Sequence, residues 1–178
     1  MRVPILVWAL DAILVGTLLI CCYTDLKERK VFNLVLFPTA VLALIIHLIL
    51  QGGMGAWFWG KGTLAGMALL FIPFVLGGIG AGDVKLLGVV GSFKGAAFVF
   101  KAFLWAALLG GVFSLFFLWK RKELRQTLGR MGGALKLFLY SCFRVWNFKQ
   151  LEGNDAVALP YGLAISLGSM ICLVGELW

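Results

Sequence analysis

The sequence predicts an all-α, polytopic membrane protein built as a bundle of six transmembrane helices. Of its 178 residues, 62% are hydrophobic and 13% are charged, and the mean hydropathy is +1.00. A soluble domain of this length cannot bury so much apolar surface. Several apolar runs approach or exceed the roughly 17–25 residues that cross a bilayer as a helix, and they lack the alternation of strands. We therefore expect a single integral membrane domain over residues 1–178.

The expected spans follow one another with short connections. The first covers about 4–23 and ends at the polar stretch "TDLKERKVFN" (24–33), and the second covers about 34–50. The Gly- and Trp-rich stretch "QGGMGAWFWGKG" (51–62) is expected to be a turn at headgroup level, where Trp is enriched. Later spans are expected at about 63–80, 96–119 and 159–176. A signal peptide is disfavoured because Asp11 interrupts the first apolar run and no small-x-small cleavage site is present.

The fourth expected span, about 83–93, is short. It begins in "GIGAGDVKLLG" (78–88) and meets "KG" at 94–95. About ten residues of helix rise roughly 15 Å, which is half of a bilayer. Such a helix would let water reach membrane depth, at Val84 and at Leu87 or Val90. The alternative is a conventional helix that extends to about residue 100, with Lys94 near its outer end.

Residues 120–150 combine basic residues with an apolar stripe. Apolar side chains recur there at spacings of three and four, which is typical of an amphipathic helix. We expect one or two interfacial helices that lie on an anionic leaflet. A seventh span over 132–148 would be costly because it would bury Lys136 and Arg144.

The distribution of Lys and Arg predicts the topology. With six crossings and the N-terminus outside, twelve basic residues lie inside and four lie outside, namely Arg2, Lys61, Lys94 and Lys101. The positive-inside rule therefore places both termini outside a cell membrane (inner or plasma). This distribution and attraction to anionic lipid account for the net charge of +8, so no nucleic-acid partner is expected.

In this topology two acidic motifs lie at the cytoplasmic membrane face. Asp25 ends the first helix and Asp83 begins the fourth. Two carboxyl groups held close together can share one proton, so that one activates water while the other polarises a peptide carbonyl. Each residue also has an ordinary explanation, because an acid is favourable at a helix N-terminus and Asp25 could form a surface ion pair. Sequence spacing alone does not show that the two aspartates meet.

Three motifs, in the expected order, resemble the type IV prepilin peptidase family of G-x-G-D membrane aspartyl proteases. "GAGDVKLLG" resembles the family's G-x-G-D motif, "DLKERKVFN" is similar to its first aspartate motif, and "LPYGLAISLG" resembles its last-helix signature. The resemblance implies that Asp25 and Asp83 are the catalytic pair. The other motif positions that it marks are Gly80, Gly82, Lys85 and Asn33.

The resemblance implies a membrane-embedded aspartic endopeptidase that needs no cofactor. Its substrates would be prepilin, pseudopilin or preflagellin-like precursors, cut after a basic leader at the cytoplasmic membrane face. Bifunctional members carry paired C-x-x-C motifs linked to N-methylation. This sequence contains none, so the short, peptidase-only form is expected. Two departures are visible, since Phe32 and Leu163 stand where the family usually or often has proline.

The remaining polar residues suggest other functions less strongly. A metal site is not expected, because the chain has one histidine and its cysteines fit no zinc spacing. Asp11 and His47 are expected to form a buried structural pair. One alternative function is a small proton-coupled transporter with a relay through Asp11, His47 and Asp83, but no inverted repeat supports it. Another is a non-catalytic pilus or secretion assembly subunit, although both aspartates are present.

Overall fold

The computed structural model describes residues 2–28, 32–76, 78–120 and 161–176, and these contain six α-helices. The helices are α1 (Arg2–Glu28), α2 (Asn33–Gln51), α3 (Gly53–Val75), α4 (Ala81–Lys94), α5 (Ala96–Lys120) and α6 (Tyr161–Glu176). Nearly all of the predicted interfacial segment 120–150 lies outside the described residues. The contacts below all belong to one compact unit formed by residues 1–109 and 160–178, whereas residues 110–120 of α5 belong to a second unit.

The described residues are helical, and the length and composition of their helices indicate a membrane protein. Four stretches are long and apolar enough to cross a membrane, namely Trp8–Glu28, Asn33–Gln51, Gly53–Val75 and Ala96–Ser114. Helices α4 and α6 are shorter, with 14 and 16 residues. The described residues confirm the helical part of the prediction and four helices of spanning length, while six crossings and the interfacial segment stay predictions.

Helix α4 is buried on nearly all sides. It packs against α1, α2, α3 and α6, and ten of its 14 residues are buried, which explains why its sequence is apolar all round rather than on one stripe. The helix ends at Lys94 because Gly95 adopts φ of +82°, in the left-handed region that favours glycine. The fourth helix is thus short, as predicted, and the alternative of an extension to about residue 100 is wrong.

The water-exposed side predicted for α4 is not observed. Val84, Leu87 and Val90 are buried, because α3 lies directly against the backbone of α4. A Cβ on Gly62 of α3 would collide with the Gly91 carbonyl group of α4, and one on Gly66 with the Leu87 carbonyl group. Glycines four residues apart permit this close approach, and van der Waals packing then holds two helices together in lipid.

The same packing corrects the turn predicted over 51–62. Helix α3 begins at Gly53, so most of this stretch is helical. Gly52 alone connects α2 to α3, with φ of +58°, and its N–H donates to the Leu48 carbonyl at 2.8 Å. Two of the glycines in this stretch lie against other helices, since a Cβ on Gly55 would collide with His47 of α2 and one on Gly62 with Gly91 of α4.

Helix α1 directs Asp25 into the bundle. Its buried side chains follow helical spacing through Leu14, Leu18 and Cys21, and Asp25 is the next position on the same face. The helix runs to Glu28 rather than ending at about residue 23. Lys27 lies in its last turn, where a positive charge is favourable.

The helix directions define two ends of this unit. Asp25 at the end of α1, Asp83 at the start of α4 and Gly162 at the start of α6 lie together, and we call this the aspartate end. The lysine end is the opposite one, where Lys94 of α4 meets Asp11 of α1 and Glu176 of α6.

Candidate active site

Asp25 and Asp83 converge on Gly162. A Cβ added to Gly162 would lie 2.9 Å from Oδ2 of Asp25 and 3.3 Å from Oδ1 of Asp83. Both aspartates are buried, with 5% and 9% of their surface exposed, and the two carboxyl groups interact electrostatically. The structure therefore brings together the two residues that the sequence predicts as a catalytic pair.

Helix α6 holds the Asp25 side chain in place. The Leu163 N–H donates to Oδ2 of Asp25 at 2.9 Å. Leu163 lies in the first turn of α6, where backbone N–H groups have no acceptor within their own helix. The helix dipole also favours a negative charge at this end, and a hydrogen bond to a carboxylate is among the stronger kinds.

Asp83 lies in the first turn of α4, next to exposed residues that precede it in the chain. Its backbone N–H donates to the Gly80 carbonyl at 3.1 Å, and Gly80 is the extended residue that precedes the helix. A Cβ on Gly80 would lie 3.4 Å from Oδ2 of Asp83. Gly80 and Ala81 are exposed and Gly82 is half-buried. The residues that precede Asp83 in the G-x-G-D turn are therefore small, and two of them are exposed.

Lys85 and Asn33, the motif residues without a predicted role, contact each other. Nζ of Lys85 donates to Oδ1 of Asn33 at 3.0 Å, and both side chains are exposed. This bond joins the start of α2 to α4 two residues after Asp83. The two motif residues therefore contact each other at the aspartate end.

The two departures from the family pattern differ in consequence. Phe32 precedes α2 with φ of −79°, which lies in the range of proline, so the start of this helix has the geometry that a proline would impose. Leu163 contributes an N–H that proline lacks. At this position the departure supplies the donor to Asp25.

Asp11 and His47 do not form the predicted pair. Oδ1 of Asp11 instead lies 2.8 Å from Nζ of Lys94, so Asp11 forms an ion pair with α4. His47 donates from Nε2 to the Phe93 carbonyl at 3.2 Å. Both residues line a cavity of about 170 Å³ at the lysine end. The structure gives no support to a relay through Asp11, His47 and Asp83, because Asp11 and His47 lie at the lysine end and Asp83 lies at the aspartate end.

Gly162 is the site residue that the sequence analysis missed, although it lies within the quoted motif "LPYGLAISLG". A glycine inside an apolar helix signals that another group approaches closely. The sequence contains that signal. It does not say that carboxyl groups from two other helices make the approach.

The described side chains offer no evident metal centre. Among residues 8–28, 32–76, 78–114 and 161–176, no three His, Cys, Asp or Glu side chains are grouped so that they could hold a metal ion. The cysteines described there, Cys21, Cys22 and Cys172, are free thiols.

Comparison with known proteins agrees with the motifs. The profile of the type IV leader peptidase family matches residues 12–115, which is more than half of the chain and includes Asp25 and Asp83. A search of curated proteins and a search of solved structures found no match. On the extent of the profile match, the chain belongs to the type IV leader peptidase family.

Proposed function

We propose that this protein is a membrane-embedded aspartic endopeptidase whose catalytic residues are Asp25 and Asp83. One observation carries the proposal, namely the convergence of both buried carboxyl groups on Gly162. Aspartic proteolysis needs two carboxyl groups that are close enough to share a proton. Membership of a leader peptidase family supports peptide hydrolysis as the reaction.

The contacts of the two aspartates support different roles. Asp25 accepts the Leu163 N–H at a helix N-terminus, which suits the carboxylate that acts as the base. Asp25 then takes a proton from a water molecule, whose oxygen attacks the scissile carbonyl carbon. Asp83 carries the shared proton and donates it to the carbonyl oxygen. When the C–N bond breaks, the departing amine takes the proton held by Asp25, and one hydroxyl of the intermediate returns its proton to Asp83 as the carboxyl product forms.

The substrate proposed is a prepilin, pseudopilin or preflagellin-like precursor with a basic leader. The excess of Lys and Arg on one side of the predicted topology supports a position of the aspartate end at the cytoplasmic face of the cell membrane. The small, exposed residues Gly80 and Ala81 would let an extended peptide approach Asp83 without meeting bulky side chains at these two positions. Anionic lipid is the second partner that the net charge of +8 favours.

Co-expression with candidate prepilins tests the proposal through the mass of the precursor. We expect Asp25→Asn and Asp83→Asn each to reduce cleavage by roughly 10³-fold or more, and the double variant to be no worse than either single one. Glu28→Gln is the control, because Glu28 is an exposed acid in the same turn of α1 as Asp25. Near-normal cleavage by the Asp25→Asn variant would refute the catalytic pair.

A further inference from the structure

The three helices that build the candidate active site are joined a second time at the lysine end. Nζ of Lys94 lies 2.8 Å from Oδ1 of Asp11 and 3.4 Å from Oε2 of Glu176. Lys94 is the last residue of α4 and Glu176 the last of α6, while Asp11 belongs to α1. We call these three residues the ion triad.

Each member of the ion triad shares a helix with one component of the candidate site. Helix α1 carries Asp11 and Asp25, α4 carries Lys94 and Asp83, and α6 carries Glu176 together with Gly162 and Leu163. Counted along each axis, the two ends are about 21 Å apart on α1 and α6 and about 16 Å apart on α4. The four-carbon stem of lysine can make up the shorter length of α4.

The surroundings of the ion triad favour a persistent contact. The side chains of Lys94 and Asp11 are only 18% and 28% exposed, and partly buried charges are screened less by salt than exposed ones. The Lys94 ammonium also lies 5.9 Å from the centre of the Phe98 ring, within the range of a cation–π interaction. A displacement of α4 along its axis would separate Lys94 from both carboxylates and Asp83 from Asp25.

We propose that the ion triad positions α4 along its axis and thereby sets the separation of Asp25 and Asp83. Lys94 is a positioning residue in this scheme, because it acts on the site through the helix that carries Asp83. The inference deepens the proposed function, and its kinetic test rests on that function. Its geometric test does not.

The kinetic test compares variants of the full chain on a prepilin substrate. We expect Lys94→Met to lower kcat by about ten- to a hundredfold with little change in KM, because a small misplacement of a reacting group slows the chemical step. Asp11→Asn and Glu176→Gln should have smaller effects, since each leaves one ion pair intact, and Lys94→Arg should restore most of the activity. Lys61→Met is the control, because Lys61 is an exposed lysine whose observed contact is the Trp57 ring.

The geometric test measures how close positions 25 and 83 come to each other, and it does not depend on catalysis. Asp25→Cys and Asp83→Cys are combined in a chain whose native cysteines are replaced, and the rate of disulfide formation under mild oxidation is followed. We expect Lys94→Met to slow this reaction by about tenfold or more if α4 shifts, and Lys61→Met to leave it unchanged. A rate that is unaffected by Lys94→Met would overturn the inference, whatever happens to activity. If the wild-type chain cleaves no prepilin but Lys94→Met still slows disulfide formation, the proposed function fails and the inference stands.

Discussion

Gly162 is the point at which two aspartates from different helices meet, and its lack of a side chain leaves room for both carboxyl groups. A single methyl group at this position would contact the two of them at once. The neighbouring residue, Leu163, contributes to the site through its backbone rather than its side chain. Helix α6 thus shapes the candidate site through its main chain, by the missing side chain of Gly162 and by the N–H of Leu163.

Gly162→Ala should therefore disable the site while leaving the fold intact. The added Cβ would lie 2.9 Å from Asp25 Oδ2, so the carboxyl groups must move apart, and displacement of a reacting group can cost on the order of 10²-fold in rate. Cleavage of a prepilin substrate measures the effect. Gly175→Ala on the same helix is the control, because nothing lies within 4 Å of a Cβ there. Equal activity of the two variants would contradict the geometry.

Leu163→Pro removes the donor to Asp25 by deleting one N–H. Proline is tolerated in the first turn of a helix, whereas a hydrogen bond to a charged group contributes about 1.5–3 kcal/mol. We expect kcat/KM to fall roughly ten- to a hundredfold, with the folded fraction in detergent unchanged. Leu163→Ala, which keeps the N–H, should stay close to wild type. If the proline variant is as active as the alanine variant, this N–H has no part in catalysis.

Among the helices, α4 depends most on its neighbours. It is short, buried on nearly all sides and in backbone contact with α3. Its axial position is therefore set by what surrounds it rather than by a lipid-facing surface. If the proposed function holds, contacts at both of its ends, Asp83 with Gly162 and Lys94 with Asp11, should therefore affect the same chemistry.

Gly62→Ala should destabilise the protein by separating α3 from α4. The new Cβ would collide with the Gly91 carbonyl group, which cannot move without its helix, and overpacking of this kind costs about 1–3 kcal/mol. Unfolding by heat or denaturant in detergent measures the change. Gly60→Ala on the same helix is the control, because nothing lies within 4 Å of a Cβ there. It should leave the stability unchanged. A neutral Gly62→Ala would mean that the two helices are not in backbone contact.

For the whole molecule, the prediction that matters most is its orientation in the membrane. Glu28 lies at the aspartate end and Gln51 lies at the lysine end, and both residues are exposed. Each is replaced by a single cysteine in a chain whose native cysteines have been removed. A membrane-impermeant thiol reagent added to intact cells should label the Gln51→Cys chain and reach the Glu28→Cys chain only after permeabilisation. The reverse pattern would put the aspartate end outside the cell and exclude cleavage at the cytoplasmic face.

Much of this architecture could be predicted from the sequence because it depends on one helix at a time. The spacing of Leu14, Leu18 and Cys21 gives the buried face of α1, and Asp25 continues it. Counting the helices puts Asp25 and Asp83 at the same end. The partner of Asp11 could not be predicted in this way, because it depends on the relative depth and rotation of three helices. The stretch 53–62 was also ambiguous, since glycine suits both turns and close helix contacts.

Because α6 contributes to the candidate site, the order in which the helices are synthesised determines when that site can assemble. Asp25 and Asp83 are translated well before Gly162 and Leu163, so a growing chain contains both carboxyl groups before it contains the helix against which they are arranged. Until α6 is inserted, Asp25 lacks the Leu163 N–H and the pair has no glycine surface on which to converge. A partly synthesised chain would therefore pass through the membrane insertion machinery, among many exposed peptide segments, without an assembled peptidase. Helix α6, which is made after both aspartates, would then be the element that completes the proposed active site.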